Sequence, residues 1–143
     1  MTQKYYLQIL GHCVNRDIPM DLAKLIASQS AFETNNFTSN NFLKSNNGFG
    51  YKHVNNAKLQ LPNVKVHSTE SDFYANYATF SDSIEEVIQW IFRRQKEKKF
   101  PSDLSTIETT EQYARLLKNC GYYGGKFEDY SNGMNMYFKS ILS

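Results

Sequence analysis

Apolar residues recur at helical spacing from the start of this chain. A short first helix, over about the first dozen residues, is predicted by the apolar positions Tyr6, Ile9, Leu10 and Cys13. The chain then turns between Arg16 and Pro19. Pro19 suits the first position of a helix, where its missing N–H has no helical partner. We predict a second helix from about Pro19 to Thr34.

The second helix carries an apolar stripe that includes one carboxylate. Its members are Leu22, Leu25 and Ile26, followed one turn later by Gln29. Because each helical residue advances by about 100°, Glu33 falls near the centre of the same stripe. The pattern therefore predicts a glutamate on the face of the helix that packs against the core.

The helical spacing is lost between the second helix and residue 80. Residues 35–52 are rich in Asn, Ser, Phe and Gly, a composition that predicts a structured loop anchored by aromatic side chains. Apolar and polar residues alternate in 58–61 and in 64–67, on either side of Pro62 and Asn63. This alternation predicts short strands or a small β-lobe between 58 and 80.

Three further helices are predicted by their starting residues and apolar stripes. Ser83 with Glu86 forms a capping-box pattern, and Thr109 with Gln112 repeats it. Ser131 is the predicted cap of the last helix. The three stripes are Ile84, Val87, Ile88 and Ile91; then Tyr113, Leu116, Leu117 and Cys120, ended by Gly121; then Met134, Tyr137, Phe138 and Ile141.

These elements predict a mostly helical α+β fold with a small β-lobe or irregular loop lobe. A chain of 143 residues with 41% hydrophobic content is long enough to bury one sizeable core. Because no internal repeat or Pro-rich linker divides the sequence, we predict a single domain over residues 1–143.

Charge and cysteine content narrow the class of protein. The net charge is +2, from 16 basic and 14 acidic residues spread along the chain, whereas nucleic-acid binders cluster their cations. The densest basic run, 93–99, closes a predicted helix, where cations complement the dipole; binding of an anionic polymer is the alternative. Cys13 and Cys120 are too few for a disulfide framework. We expect no nucleic-acid partner and folding in a reducing cytosol.

Targeting and membrane signals are also missing from the sequence. The first residues show neither a long apolar run nor a cationic leader with a small-residue cleavage site. No segment approaches the roughly 20 apolar residues of a membrane span. We therefore expect no signal peptide, no membrane insertion and synthesis in the cytoplasm, so that an extracellular target would have to be reached with the help of another protein.

Glu33 is the strongest candidate for chemistry. A carboxylate within an apolar face is costly unless it is neutral or paired, because desolvation raises its pKa. A general acid that works near neutral pH needs such an environment. The alternative is that Glu33, close to the helix end, reaches solvent or pairs with a lysine such as Lys52.

Other chemistries find little support, and we expect neither a metal nor a cofactor. His12, His53 and His67 share no metal-ligand spacing with one another or with the two cysteines, and no HExxH pattern occurs. A Gly-rich phosphate loop and a Gly-x-Ser-x-Gly elbow are also absent.

Two segments of the chain resemble a known family. Residues 28–34 read Ser-Gln-Ser-Ala-Phe-Glu-Thr, and residues 46–52 read Asn-Asn-Gly-Phe-Gly-Tyr-Lys. They are similar to the paired motifs of glucosaminidase-type peptidoglycan hydrolases, glycoside hydrolase family 73, in which an acid-bearing helix precedes an Asn-x-Phe-Gly-x-Lys loop. The resemblance continues through 77–84 and 113–123 and covers about 18–137. It implies a lysozyme-like fold.

The resemblance implies roles for the residues of these two motifs. Glu33 matches the acid that protonates the leaving glycosidic oxygen as an oxocarbenium-like transition state develops. Gln29, one turn earlier, is expected to position it. Asn47, Phe49 and Gly50 match the loop that follows, and we expect them to contact substrate, with core packing as the alternative for Phe49.

The remaining site residues are less closely defined by the resemblance. Tyr122 matches a tyrosine of the late turn, where a phenol can face the cleft; Tyr123 takes this place if the alignment shifts by one residue. Glu70 stands where the family carries a β-lobe glutamate that can activate water, with Asp72 as its competitor and a solvated surface charge as the alternative for both. After Glu33 the family's Gly-Trp-Gly-like run is replaced by Thr34-Asn35-Asn36-Phe37.

The resemblance implies an enzyme that cleaves the β-1,4 bonds of peptidoglycan glycan strands, as an endo-β-N-acetylglucosaminidase. Water would be delivered by Glu70, or the substrate's acetamido group would assist. The alternatives are a muramidase or lytic transglycosylase of the same fold, and a non-catalytic phage structural or wall-binding module. A monomeric bacteriophage lysin, freed by a holin or carried on a virion, is the expected setting.

Overall fold

The computed structural model describes residues 2–62, 65–67 and 73–142. The helices are α1 Thr2–Asn15, α2 Met20–Glu33, α3 Asn40–Ser45, α4 Phe80–Lys96, α5 Thr110–Asn119 and α6 Phe127–Leu142. Strands β1 (Lys65–His67) and β2 (Phe73–Ala75) form an antiparallel pair. The predicted mostly helical fold with a small β-lobe is confirmed. In the described part of the chain, no helix is both long and apolar enough to cross a membrane.

The helix that ends in Glu33 lies in the middle of the molecule. From Leu22 to Ala31 every residue of α2 except Lys24 is buried, and α2 packs against both α1 and α6. A helix that is buried on nearly all sides belongs to the core rather than to the surface. The single stripe predicted from the sequence is therefore incomplete, because a second face formed by Ala23, Ala27 and Ala31 is buried as well.

The prediction that α4 is capped by Ser83 is wrong. The helix begins one turn earlier at Phe80, and the cap is Thr79, whose side chain accepts a hydrogen bond from the backbone N–H of Asp82. Ser83 lies inside the helix, is buried and donates to the Phe80 carbonyl. Phe80 itself packs into the core, and this apolar anchor extends the helix beyond the predicted start.

The capping box of α5 is confirmed, whereas the predicted cap of α6 is wrong. The Thr109 side chain and the Gln112 side chain each bond to the backbone of the other residue. α6 instead begins at Phe127, with Glu128 and Asp129 in its first turn, where carboxylates interact favourably with the helix dipole. Ser131 is consequently a buried residue within the helix.

Residues 35–52 contain a short helix that the sequence composition did not predict. The side chain of Ser39 caps α3 by accepting from Phe42 N. Just before α3, Asn35, Asn36 and Phe37 have φ of 50°, 58° and 64°. Positive φ is tolerated by Asn but is unusual for a bulky residue such as Phe. The loop after α2 therefore begins with a left-handed turn.

The strands of the β-lobe differ from the prediction. Residues 58–61 form no strand, because the side chain of Gln60 bonds to the backbone of the preceding loop. Its Oε1 accepts from Val54 N at 2.9 Å, and its Nε2 donates to the Lys52 carbonyl at 3.2 Å. Within the second predicted strand, 65–67 is β1, while Val64 lies outside the described residues.

Candidate active site

Glu33 is the last residue of α2 and is half-buried among neighbouring elements. Burial raises the pKa of Glu33 to about 7, against the opposing influence of the Tyr130 hydroxyl and the Lys52 ammonium. The negative end of the helix dipole also disfavours a carboxylate at this position. A carboxyl group with such a pKa is still partly protonated near neutral pH and can donate a proton.

Gly50 lies directly against this acid. Its φ is +68°, and a Cβ at this position would lie 2.8 Å from Glu33 Oε2. Only glycine gives the loop both the left-handed conformation and this close approach. The Ser30 hydroxyl fastens the same loop to α2 by donating to the Gly48 carbonyl at 2.7 Å. The fold therefore brings the two predicted motifs together at the acid.

Asn47 holds the loop in shape through both ends of its buried amide. Its Nδ2 donates to the carbonyls of Tyr51 and Ala75, at 2.9 and 3.1 Å. Its Oδ1 accepts from the backbone N–H of Phe49 and of Tyr51, at 3.2 and 3.3 Å. These bonds engage the Asn47 amide with protein groups, so its position is explained by the loop geometry; its predicted contact with substrate stays a prediction.

Tyr122 anchors the Gly50 loop from the opposite side. Its hydroxyl donates to the carbonyl of Phe49 at 2.7 Å, and its ring packs edge-on against Tyr51 and Trp90. Burial, followed by neighbouring groups that include Glu33, holds the pKa of Tyr122 well above its usual value, so the phenol remains a neutral donor. The Phe49 side chain is fully buried, which is the core packing foreseen as its alternative.

A buried chain of polar side chains leads from the core to Glu33. The Tyr113 hydroxyl donates to Gln29 Oε1 at 2.5 Å. Gln29 Nε2 then faces the Tyr130 hydroxyl, which in turn faces the Glu33 carboxyl. Among the described residues, Gln29 Nε2 and the Tyr130 hydroxyl have no hydrogen-bond partner of ordinary geometry. In this arrangement Gln29 reaches Glu33 through Tyr130.

Tyr130 is the site residue that the sequence analysis missed. The last helix was predicted to begin at Ser131, so Tyr130 fell outside its stripe. In the structure its ring stacks on Tyr123 with centroids 3.9 Å apart and packs edge-on against Phe32 at 5.0 Å. The Tyr123 hydroxyl donates to the Ala114 carbonyl at 3.0 Å. Tyr123 therefore contacts Tyr130, the residue whose hydroxyl faces Glu33, through its ring.

The second carboxylate of the predicted mechanism is not placed, because Glu70 and Asp72 lie outside the described residues. Glu86, a carboxylate near the buried tyrosines, already accepts hydrogen bonds from the Tyr77 hydroxyl and from Gln60 Nε2. It joins α4 to the β-lobe. Within residues 2–62, 65–67 and 73–142, no three His, Cys, Asp or Glu side chains are grouped as a metal site would require.

Sequence comparison decides the family. Residues 19–142 match the profile of the glucosaminidase family, described as mannosyl-glycoprotein endo-beta-N-acetylglucosaminidase. This chain belongs to the glucosaminidase family. The resemblance inferred from the two motifs is thereby confirmed, as is the prediction of a glycoside hydrolase. The matched segment of this glucosaminidase domain begins after α1.

Two solved structures share the fold. A chain from the structure of a type VI secretion system effector-immunity complex from Pseudomonas protegens is 15% identical, with a TM-score of 0.67 over 97% of this chain and 89% of that one. The glycoside hydrolase domain of Salmonella typhimurium FlgJ is 17% identical, with a TM-score of 0.64 over 99% and 89%. A search of curated protein sequences gave no match.

Proposed function

We propose that this glucosaminidase domain hydrolyses the β-1,4 bonds of peptidoglycan as an endo-β-N-acetylglucosaminidase, with Glu33 as the general acid. The observation that carries the proposal is the half-buried Glu33 carboxyl beside Gly50, whose raised pKa of about 7 leaves a transferable proton near neutral pH. That proton passes to the glycosidic oxygen as the bond to the sugar breaks and positive charge develops on the ring. Gly50 presents no side chain beside the carboxyl, so the backbone of its loop lies directly against the acid.

Completion of the reaction requires a second group that activates water or stabilises the developing cation. We propose Glu70 for this role, with Asp72 and the acetamido group of the substrate as alternatives. In the acetamido case the carbonyl oxygen of the substrate attacks the anomeric carbon, and water later opens the cyclic intermediate. Substituting each of the two carboxylates by its amide distinguishes these routes, because only substrate assistance survives both changes.

The decisive experiment compares the native protein with Glu33→Gln on purified peptidoglycan. The amide keeps the shape of the side chain but cannot donate a proton with the required driving force, so we expect activity to fall by a factor on the order of 10² to 10⁴. Glu111→Gln is the matched control, because Glu111 is an exposed carboxylate on α5. Full activity of Glu33→Gln would overturn the assignment of the acid.

The products identify the bond that is cut. Mass spectrometry of fragments with reducing N-acetylglucosamine ends supports the glucosaminidase. Reducing N-acetylmuramic acid ends would show a muramidase instead, and 1,6-anhydro ends a lytic transglycosylase. Inactivity of the native protein on several wall types would favour the non-catalytic wall-binding or phage structural module.

Two routes to the wall are proposed for a protein made in the cytoplasm. One is release as a bacteriophage lysin or transport on a virion. The other is export as a secretion effector, favoured by the similarity to a chain of a type VI effector-immunity complex. Co-expression of this protein with the proteins encoded beside it distinguishes the two routes. An effector would be neutralised by a specific immunity protein, whereas a lysin would need a pore-forming partner.

A further inference from the structure

The turn that follows the acid departs both from the family motif and from ordinary backbone geometry. Asn35, Asn36 and Phe37, here called the left-handed turn, all have φ between 50° and 64°. L-residues normally enter this region one at a time, because each costs about 1–2 kcal/mol through contact between Cβ and the following carbonyl. Three in succession persist only where the surroundings hold them.

Part of this support comes from α2 itself. The backbone N–H of Asn36 donates to the Ala31 carbonyl at 2.7 Å, which closes the end of α2 around Glu33. The Thr34 side chain accepts from Phe37 N at 2.8 Å. The conformation of the left-handed turn and the end of α2 are thus one hydrogen-bonded unit, and Glu33 lies within it.

Further support comes from the rings of Phe42 and Phe80, which pack edge-on against Phe37. The rest comes from α1, which lies outside the segment that matches the family. The Tyr6 hydroxyl donates to Asn36 Oδ1 at 3.2 Å. The ring of Tyr5 stacks on Phe37 with centroids 5.0 Å apart, and the ring of Tyr6 packs edge-on against it at 5.5 Å. Two adjacent tyrosines on α1 therefore contact the left-handed turn.

We propose that Tyr6 and Asn36 are positioning residues for Glu33, so that α1 completes the active site although it contributes no group to it. The charged and titratable groups that face Glu33 come from other elements: Tyr130 on α6, Tyr122 in the turn before α6, and Lys52 in the loop before β1. α1 also packs directly on α2, and its specific link to the end of that helix runs through the left-handed turn. This inference rests on the proposed role of Glu33 as the acid.

The test compares two substitutions that relax the backbone equally and differ only in the link to α1. Asn36→Gly removes the acceptor of the Tyr6 hydroxyl, whereas Asn35→Gly removes an exposed side chain that makes no hydrogen bond among the described residues. Both replace a left-handed Asn by the residue best suited to that conformation. Tyr6→Phe breaks the same link from the other side and keeps the aromatic packing.

We expect Asn36→Gly and Tyr6→Phe each to lower kcat on peptidoglycan on the order of tenfold, with KM changed by less than about twofold. The double variant should be no worse than either single one, because both remove the same interaction. Asn35→Gly should keep native kcat. Thermal melting of each variant confirms that it is folded at the assay temperature.

A second readout does not depend on activity. NMR titration of the Glu33 carboxyl should show its pKa falling towards 4.5 in Asn36→Gly and Tyr6→Phe, because a loosened turn admits water, while Asn35→Gly keeps the native value. Lower melting temperatures with an unchanged kcat and an unchanged Glu33 pKa would overturn the proposal, as would equal losses in Asn35→Gly and Asn36→Gly. If Glu33→Gln proves fully active, the proposed function fails, and the titration still decides whether α1 positions Glu33.

Discussion

Gly50 and Glu33 belong to separate stretches of the chain, yet the backbone of one lies against the carboxyl of the other. At this contact the shape of a single residue determines both the path of the loop and the surroundings of the acid. A side chain at Gly50 would have to displace Glu33 Oε2, and the positive φ would strain it in addition. A substitution of Gly50 is therefore expected to strain the backbone and to lower catalytic activity at the same time.

We predict that Gly50→Ala costs about 1–2 kcal/mol of stability, from the left-handed φ, and lowers turnover by roughly 10- to 100-fold through displacement of the acid. Urea denaturation and peptidoglycan turnover measure the two effects. Gly124→Ala is the control, because a Cβ there meets nothing within 4 Å; its effect should stay below about 0.5 kcal/mol. Native turnover in Gly50→Ala would show that the close approach is not required.

The helices position the site through their ends rather than through their middles. Glu33 is the last residue of α2, Tyr130 lies in the first turn of α6, and Tyr113 lies in the first turn of α5. At the start of α5 the capping box of Thr109 and Gln112 satisfies N–H groups that the helix itself leaves unpaired. Local stability of these ends therefore supports the alignment of the polar chain that leads to the acid.

We predict that Thr109→Ala lowers stability by about 1 kcal/mol, because the N-cap hydrogen bond is lost. Ser131→Ala is the contrasting variant, because Ser131 lies inside α6, where alanine has the higher helix propensity. Chemical denaturation of both variants measures the difference. Comparable losses in the two would mean that Ser131, rather than an earlier residue, caps the last helix.

Two carboxylates give the whole molecule opposite responses to pH. Burial acts to raise the pKa of Glu85 on α4, but hydrogen bonds from Arg16, His12 and Gln89 hold it below the usual value. The bonds from His12 and Arg16 join α1 and the residue after it to α4. They stabilise the fold at pH values above the usual pKa of a carboxyl group and are lost as the pH falls through the lowered pKa of Glu85. Glu33, whose pKa is raised, behaves in the reverse sense.

We predict that Glu33 reduces the stability of the native protein as the pH rises. The folded state retains the Glu33 proton up to about pH 7, while the unfolded chain loses it near 4.5. The stabilising contribution of the protonated Glu33 is therefore fully present below pH 4.5 and is lost as the pH rises through 7. The full shift corresponds to a change of roughly 3 kcal/mol in the free energy of unfolding. Denaturation of native protein and Glu33→Gln should agree at pH 4 and diverge at pH 8, with the variant more stable. Parallel curves would mean that Glu33 has an ordinary pKa.

The sequence by itself determined the helical character of the chain, the course of α1 and α2, the capping box of α5 and the family motifs around Glu33 and Gly50. These features depend on residues that are close in the chain, where spacing and side-chain chemistry act directly. The predicted caps at Ser83 and Ser131 were wrong because both helices begin earlier: Thr79 caps α4, and α6 begins at Phe127 with two carboxylates in its first turn.

Only the tertiary structure decided what surrounds the acid. Tyr130 faces Glu33 although the two residues are almost a hundred positions apart in the chain. The Tyr122 hydroxyl donates a hydrogen bond to the Phe49 carbonyl, a partner that no sequence pattern indicated. The left-handed turn is held by hydrogen bonds to the end of α2, by the rings of Phe42 and Phe80, and by Tyr5 and Tyr6 on α1. The physical reason is the same in each case: desolvation, ring packing and strain arise from atoms that are distant in the chain, so no local pattern encodes them.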